Sequence, residues 1–155
     1  MTTEREAREI ATDLMNAHDL FDWTFIFDNA RRRAGVCDFD ARSIALSRHF
    51  TALNNPHAVR MTMLHEIAHA IVGSGHGHDR VWKRTCLAIG GDGNRCLNSD
   101  SVNQAPSPWI GTCSVTPGHV YPRFKMTESA RTGSYSCTKC PGSRITWTRN
   151  PAYGK

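Results

Sequence analysis

The sequence predicts an α+β fold, with a mixed domain over residues 1–104 and a small basic module over 105–155 that a metal would order. Three observations carry this. Two stretches of helical periodicity bracket the first hundred residues, short aromatic and β-branched runs lie between them, and the cysteine-bearing tail is too small to hold a core by apolar burial alone.

Thr3-x-x-Glu6 is a capping-box pattern, and Ala7, Ile10, Ala11, Leu14 and Ala17 follow at helical spacing, which predicts an amphipathic helix over 3–19. Trp23-Thr24-Phe25-Ile26-Phe27 reads as a strand, and Asp28-Asn29 begins a turn. Val36-Cys37-Asp38-Phe39 and Ser43-Ile44-Ala45-Leu46-Ser47 read as two more short strands joined by a tight turn, giving a small antiparallel or mixed three-stranded sheet. Asn55 is a good N-cap, Pro56 suits the first helical position, and Leu64, Ile67, Ala68 and Ile71 recur on one helical face before Gly73 and Gly75 stop the helix. After a glycine-rich reversal, a second helix runs from Asp79 to about Ile89, with Val81, Trp82, Cys86 and Leu87 sharing a face. Residues 98–108 read as a linker.

Hydrophobic content of 39% and charged content of 21% exclude a disordered chain. No apolar run approaches the roughly 18–20 residues that cross a bilayer, and Thr2–Arg8 is too charged for a secretory signal. A cytoplasmic protein is expected, nucleoid-associated if bacterial, with no membrane partner. In that compartment six cysteines are metal ligands or packed thiols rather than disulfides. Cys37 and Cys86 are expected to pack as small apolar residues.

Charge is uneven. Residues 1–104 carry a net −1, whereas residues 105–155 hold seven Lys/Arg against Glu128 alone, a net +6. Interleaved with Trp109, Tyr121, Phe124, Tyr135 and Trp147, that basic tail suits phosphates and bases. Arg31-Arg32-Arg33 is either a solvated face or a further contact for nucleic acid.

The chemistry centres on His65-Glu66-Ile67-Ala68-His69. Two histidines four apart on a helix share a face and can reach one zinc ion, while the intervening glutamate stands close to the metal's water, where a general base belongs. A catalytic zinc needs a third protein ligand. The metzincin spacing would require Gly at 72 and His at 75, but the chain has Val72 and Gly75. A downstream glutamate is excluded because Glu128 in the basic tail is the only one. Asp79 and Asp92 remain candidates, and His76 and His78, delivered by the glycine-rich reversal, are better placed.

A second constellation lies in the tail. Cys113-x5-His119 and Cys137-x2-Cys140 offer four ligands for a structural zinc, with Cys96 in reserve and Val120–Ser136 long enough for a hairpin. A redox pair at Cys137 and Cys140, or free thiols, is the alternative.

These residues resemble the SprT-like (Spartan-type) zinc metalloprotease family. The resemblance rests on His65-Glu66-x-x-His69, the nine-residue step to His78 and the x-x-x-Trp82 that follows. It extends upstream through Trp23–Phe27, Ala30–Val36 and Ile44–Ser47. It implies a small zincin-like metallopeptidase domain, with an N-terminal helix, a short three-stranded sheet, the H-E-x-x-H helix and a following helix. Glu66 would be the catalytic base, His65, His69 and His78 the ligands of a catalytic Zn²⁺, and Trp82 packing beneath the site. The family's motif has Gly after the third ligand where this chain has Asp79, which leaves His76 as the alternative to His78. Related chains end in a zinc ribbon with a pattern like Gly111-Thr112-Cys113…Gly118-His119, which implies a second Zn²⁺ on Cys113, His119, Cys137 and Cys140. Family membership further implies an endopeptidase acting on protein substrates bound or crosslinked to DNA. The rival expectations are a non-catalytic DNA-binding scaffold, a peptidase indifferent to DNA, and a non-peptide metallohydrolase.

Overall fold

The computed structural model describes residues 1–95 and 102–154. Cys96 and residues 98–101 of the expected linker lie outside the described residues. The chain divides into two compact units, Met1–Ala105 and Pro106–Lys155.

In the first unit, α1 (Glu4–Ala17) starts on the Thr3 capping box and buries Ala7, Ala11, Leu14 and Met15. The alanines keep that face flat, so α1 lies close against the long α3 (Pro56–Val72). Three strands follow α1: β1 (Thr24–Asp28), β2 (Gly35–Asp38) and β3 (Ser43–Ser47), in the order β1-β3-β2. β1 runs parallel to β3 and β2 antiparallel to it, so the sheet is mixed. All five residues of the central β3 are buried. Asp38 accepts the Ala41 amide at 3.0 Å, and Arg42 takes a φ of 44° to complete the β2–β3 turn.

A short helix, α2 (Arg48–Leu53), leaves β3 directly where the sequence reading placed no element. Its signal was present in Ser47, whose side chain accepts the Phe50 amide at 3.2 Å as an N-cap. α3 then begins with the Asn55 side chain accepting the Ala58 amide at 2.9 Å and ends at Gly73, whose φ of 85° suits glycine. It packs against α1, β2, β3 and the later α4 (Arg80–Ala88), and so is buried around much of its circumference. Val59, Met63, Leu64 and Ile67 join Ile44, Leu46, Leu14 and Phe50 in the core. Ile71, expected on the buried face, is 44% exposed in the last turn of the helix.

Asp79 caps α4, accepting the Val81 and Trp82 amides. Only Trp82 and Cys86 of α4 are buried, against Ala68. The expected shared face is narrower than the sequence suggested: Val81 and Leu87 are exposed, since a nine-residue helix packed on one neighbour buries a single stripe. Asn103 packs on this unit. Asn54 donates to the Asn103 carbonyl at 2.8 Å and accepts the Asn103 amide at 2.7 Å, so this part of the expected linker is anchored.

The second unit is an antiparallel sheet of β4 (Trp109–Cys113), β5 (Val120–Arg123) and β6 (Ile145–Arg149), ordered β5-β4-β6, with a short α5 (Glu128–Arg131). Val120–Ser136 holds β5 and α5 rather than the expected hairpin. Its core consists of Cys113, Cys137 and Ile145, flanked by Tyr121, Tyr135 and Trp147. Gly111 is required by that packing, since a Cβ there would lie 2.5 Å from Ile145 and 2.7 Å from the Trp147 ring.

Candidate metal centre

α3 places His65 and His69 one turn apart, and the reversal after Gly73 brings His78 across to meet them. The Nε2 atom of His78 lies 2.9 Å from that of His65 and 3.2 Å from that of His69. Ligands at zinc–nitrogen lengths on a tetrahedral ion would stand roughly 3.3–3.4 Å apart, so the three nitrogens already face a common point. All three rings favour the neutral, metal-binding form. Burial, with the neighbouring His69 and His78 rings, pushes His65 down to about 4. Burial lowers His69, helped by His78, and lowers His78, helped by the Arg95 charge. Three neutral rings aiming ring nitrogens at one point fit a cation between them.

The surroundings orient these rings. The His65 ring N–H donates to the Asn94 backbone carbonyl and the His69 ring N–H to that of His76, and each bond favours the ring proton. Such partners fix ring tautomer and direction at metal sites. Trp82, fully buried, packs against all three imidazoles at centroid distances of 4.6, 5.3 and 4.6 Å, and its Nε1 donates to the His65 carbonyl at 3.4 Å.

His76, Asp79 and Asp92 stand outside this cluster. His76 Nδ1 lies 2.7 Å from Asp79 Oδ2, with the ring lining the cleft. Asp92 Oδ1 accepts the Asn94 amide at 2.9 Å, which shapes the loop that bonds His65.

Glu66 is buried beside the histidines. Burial lifts its carboxyl to about 7, against the opposing pull of the Arg33 charge and a backbone hydrogen bond from Cys37. Gly35 packs against the same side chain. No local pattern of residues signals these contacts. Cys37, expected to pack as an apolar residue, is half-buried and lines the cleft with its thiol pushed up to about 12 by burial and the Glu66 and Asp38 charges. That suppresses the thiolate and leaves the backbone N–H as its contribution to the site. The cleft above the histidines encloses about 640 Å³.

The second cluster joins Cys113, His119, Cys137 and Cys140, whose ligand atoms all lie within 4.8 Å of one another. His119 Nδ1 is 3.4 Å from both Cys137 Sγ and Cys140 Sγ. Cys113 is held near Ser143 and accepts the Thr116 and Val115 amides at 3.4 Å, contacts that bring its thiol down to about 6 and favour the thiolate a metal takes. A Cys₃His donor set at this separation fits zinc.

An α+β unit with the H-E-x-x-H helix facing a third histidine defines a metallopeptidase-like domain. The SprT-like family model matches residues 5–101, well over half the chain, and the chain belongs to that family. No curated protein matches it.

Proposed function

We propose that this chain is a zinc-dependent endopeptidase that cuts DNA-bound or DNA-crosslinked proteins when it is itself on DNA. The observation that carries the proposal is the convergence of His65, His69 and His78 beside a buried Glu66. The three histidines would hold the catalytic ion, and Cys113, His119, Cys137 and Cys140 a structural one. When bound, zinc supplies Lewis acidity toward a water and toward the scissile carbonyl. Glu66 then accepts the water's proton on its carboxylate and returns it to the departing amine. Burial suits it to that exchange, because a carboxyl near 7 both gains and loses a proton readily at neutral pH. The Arg33 charge and the Cys37 N–H oppose that rise and favour the ionised form in which it acts as a base.

The second unit supports the DNA part of the reading. Arg123 lies over Tyr135 and Trp147, at 4.3 and 4.7 Å from the ring centroids, and Arg149 lies over Trp109 at 4.2 Å. A net +6 module with such cation–aromatic pairs suits a phosphate backbone and its bases, and its affinity should fall with salt. In this role it holds the peptidase where its protein substrates sit. The test is cleavage of a DNA-binding protein by the zinc-loaded chain with and without single-stranded DNA. Cleavage that requires DNA supports the proposal, and cleavage indifferent to DNA removes the DNA role. No helix among the described residues is long and apolar enough to cross a membrane.

A further inference from the structure

His76 lines the cleft beside the three ligand histidines without belonging to their cluster. Its backbone is fixed on both sides. The N–H donates to the Gly73 carbonyl at 3.2 Å, and the carbonyl accepts the His69 ring N–H. Its ring is fixed as well, through Nδ1 and Asp79 Oδ2 at 2.7 Å. A carboxylate only accepts, so the Nδ1–H is the donor of that bond. The other Asp79 oxygen accepts the Val81 and Trp82 amides at 2.9 and 3.0 Å, which ties the partner to the start of α4. Asp79 stands where the family's motif has Gly, and a glycine could not hold the ring. What remains is Nε2. In a neutral ring whose Nδ1 carries the proton, Nε2 offers a lone pair, and it has no partner among the described residues.

We propose that His76 Nε2 accepts a hydrogen bond from a backbone N–H of the bound peptide, close to the bond that is cut. The inference rests on the peptidase reading and adds a substrate-positioning residue to it. A peptide supplies the matching donors, since every residue except proline presents one N–H. The reversal that carries His76 also delivers His78 and holds the His69 ring, so a peptide bound there is held beside the metal ligands. A ring already fixed before the peptide arrives loses little freedom on binding, which favours this contact over one made by a mobile side chain.

The test uses the zinc-loaded Glu66→Gln chain, so that binding is read without turnover, at about pH 8, where ordinary imidazoles are uncharged. The tightest binder among short overlapping peptides of a DNA-binding protein is remade with each peptide N–H in turn replaced by an ester oxygen. The expected result includes an ester position at which binding weakens roughly two- to ten-fold, the loss of one hydrogen bond. That penalty should vanish in His76→Ala while penalties at other positions stay. Asp79→Asn adds a readout that a merely structural role would not move. Asparagine still caps α4, but its amide faces His76 as a donor and shifts the ring proton to Nε2. The penalty at the same position should then disappear or reverse. Zinc content and circular dichroism of both variants keep the comparison clear of damage to the centre. An ester penalty pattern that is the same in the parent chain, His76→Ala and Asp79→Asn overturns the proposal. So does a peptide set without a binder, or one in which no ester weakens binding. Turnover by the unsubstituted chain is read separately. An ester penalty that depends on His76, without cleavage of any peptide, sinks the peptidase reading and leaves the peptide contact standing. Cleavage with no such penalty does the reverse.

Discussion

Gly35 and Glu66 approach so closely that a Cβ on Gly35 would lie 3.0 Å from Glu66 Cγ and 3.1 Å from its Oε1. The Ala45 carbonyl oxygen stands 3.1 Å from the same point, so β2 has no room to move away. Gly35→Ala should therefore displace the Glu66 carboxylate by a few tenths of an ångström while leaving the histidines in place. Activity should fall about 10- to 100-fold with zinc content unchanged. Wild-type turnover in this variant would show that the contact does not position the base.

The raised carboxyl of Glu66 makes a signed prediction about stability. Its ordinary value is 4.5 and its folded value about 7, so the folded chain holds this proton over a range in which the unfolded chain has lost it. Stability from the neutral carboxyl is complete below the unfolded value and is lost as pH rises through the folded one. In zinc-free protein, Glu66→Gln should accordingly gain on the wild type between about pH 5 and pH 8, by an amount on the order of 3 kcal/mol. Chemical denaturation of both chains at the two pH values measures it, and parallel pH profiles would contradict the burial argument.

The core cluster of the second unit is Cys113, Cys137 and Ile145, and two of these three belong to the Cys₃His cluster. Too little apolar surface is available there to offset chain entropy without a metal. A strong chelator, or Cys137→Ser, should abolish the near-ultraviolet signal of Trp109 and Trp147 while the far-ultraviolet helical signal of the first unit persists. Retention of the tryptophan signal after zinc removal would mean that the cluster is not what orders the unit.

Asn54 is 3% exposed, and its side chain bonds the Phe50 carbonyl and both backbone groups of Asn103. Asn54→Ala leaves those groups without their partner, at a cost of about 1–3 kcal/mol. The measurement is the denaturation midpoint. A loss below a few tenths of a kcal/mol would show that water replaces the side chain.

Much of this architecture was legible because its signals are local. The Thr3–Glu6 box and the Asn55-Pro56 start occupy the helix starts they imply, and the helix expected from Asp79 begins there with Asp79 as its cap. The histidine spacing likewise anticipated a cluster, because periodicity and a glycine-rich reversal are properties of short stretches. What escaped was tertiary. No local rule puts β3 between β1 and β2, since the pairing depends on which strand the α1–α3 layer covers. α2 hid behind β3, with Ser47 ending the strand and capping the helix in one residue. The Gly35 and Cys37 contacts to Glu66 join segments about 30 residues apart, which become neighbours only when β2 packs on α3. The anchoring of Asn103 on Asn54 is of the same kind and made a linker-like composition misleading.

The most direct test of the central claim is zinc content per chain in the wild type, His78→Ala and His76→Ala, measured after dialysis against weak chelator. The two donor clusters predict two ions in the wild type, one in His78→Ala and two in His76→Ala. An unchanged count in His78→Ala, or a loss confined to His76→Ala, would contradict the centre described here.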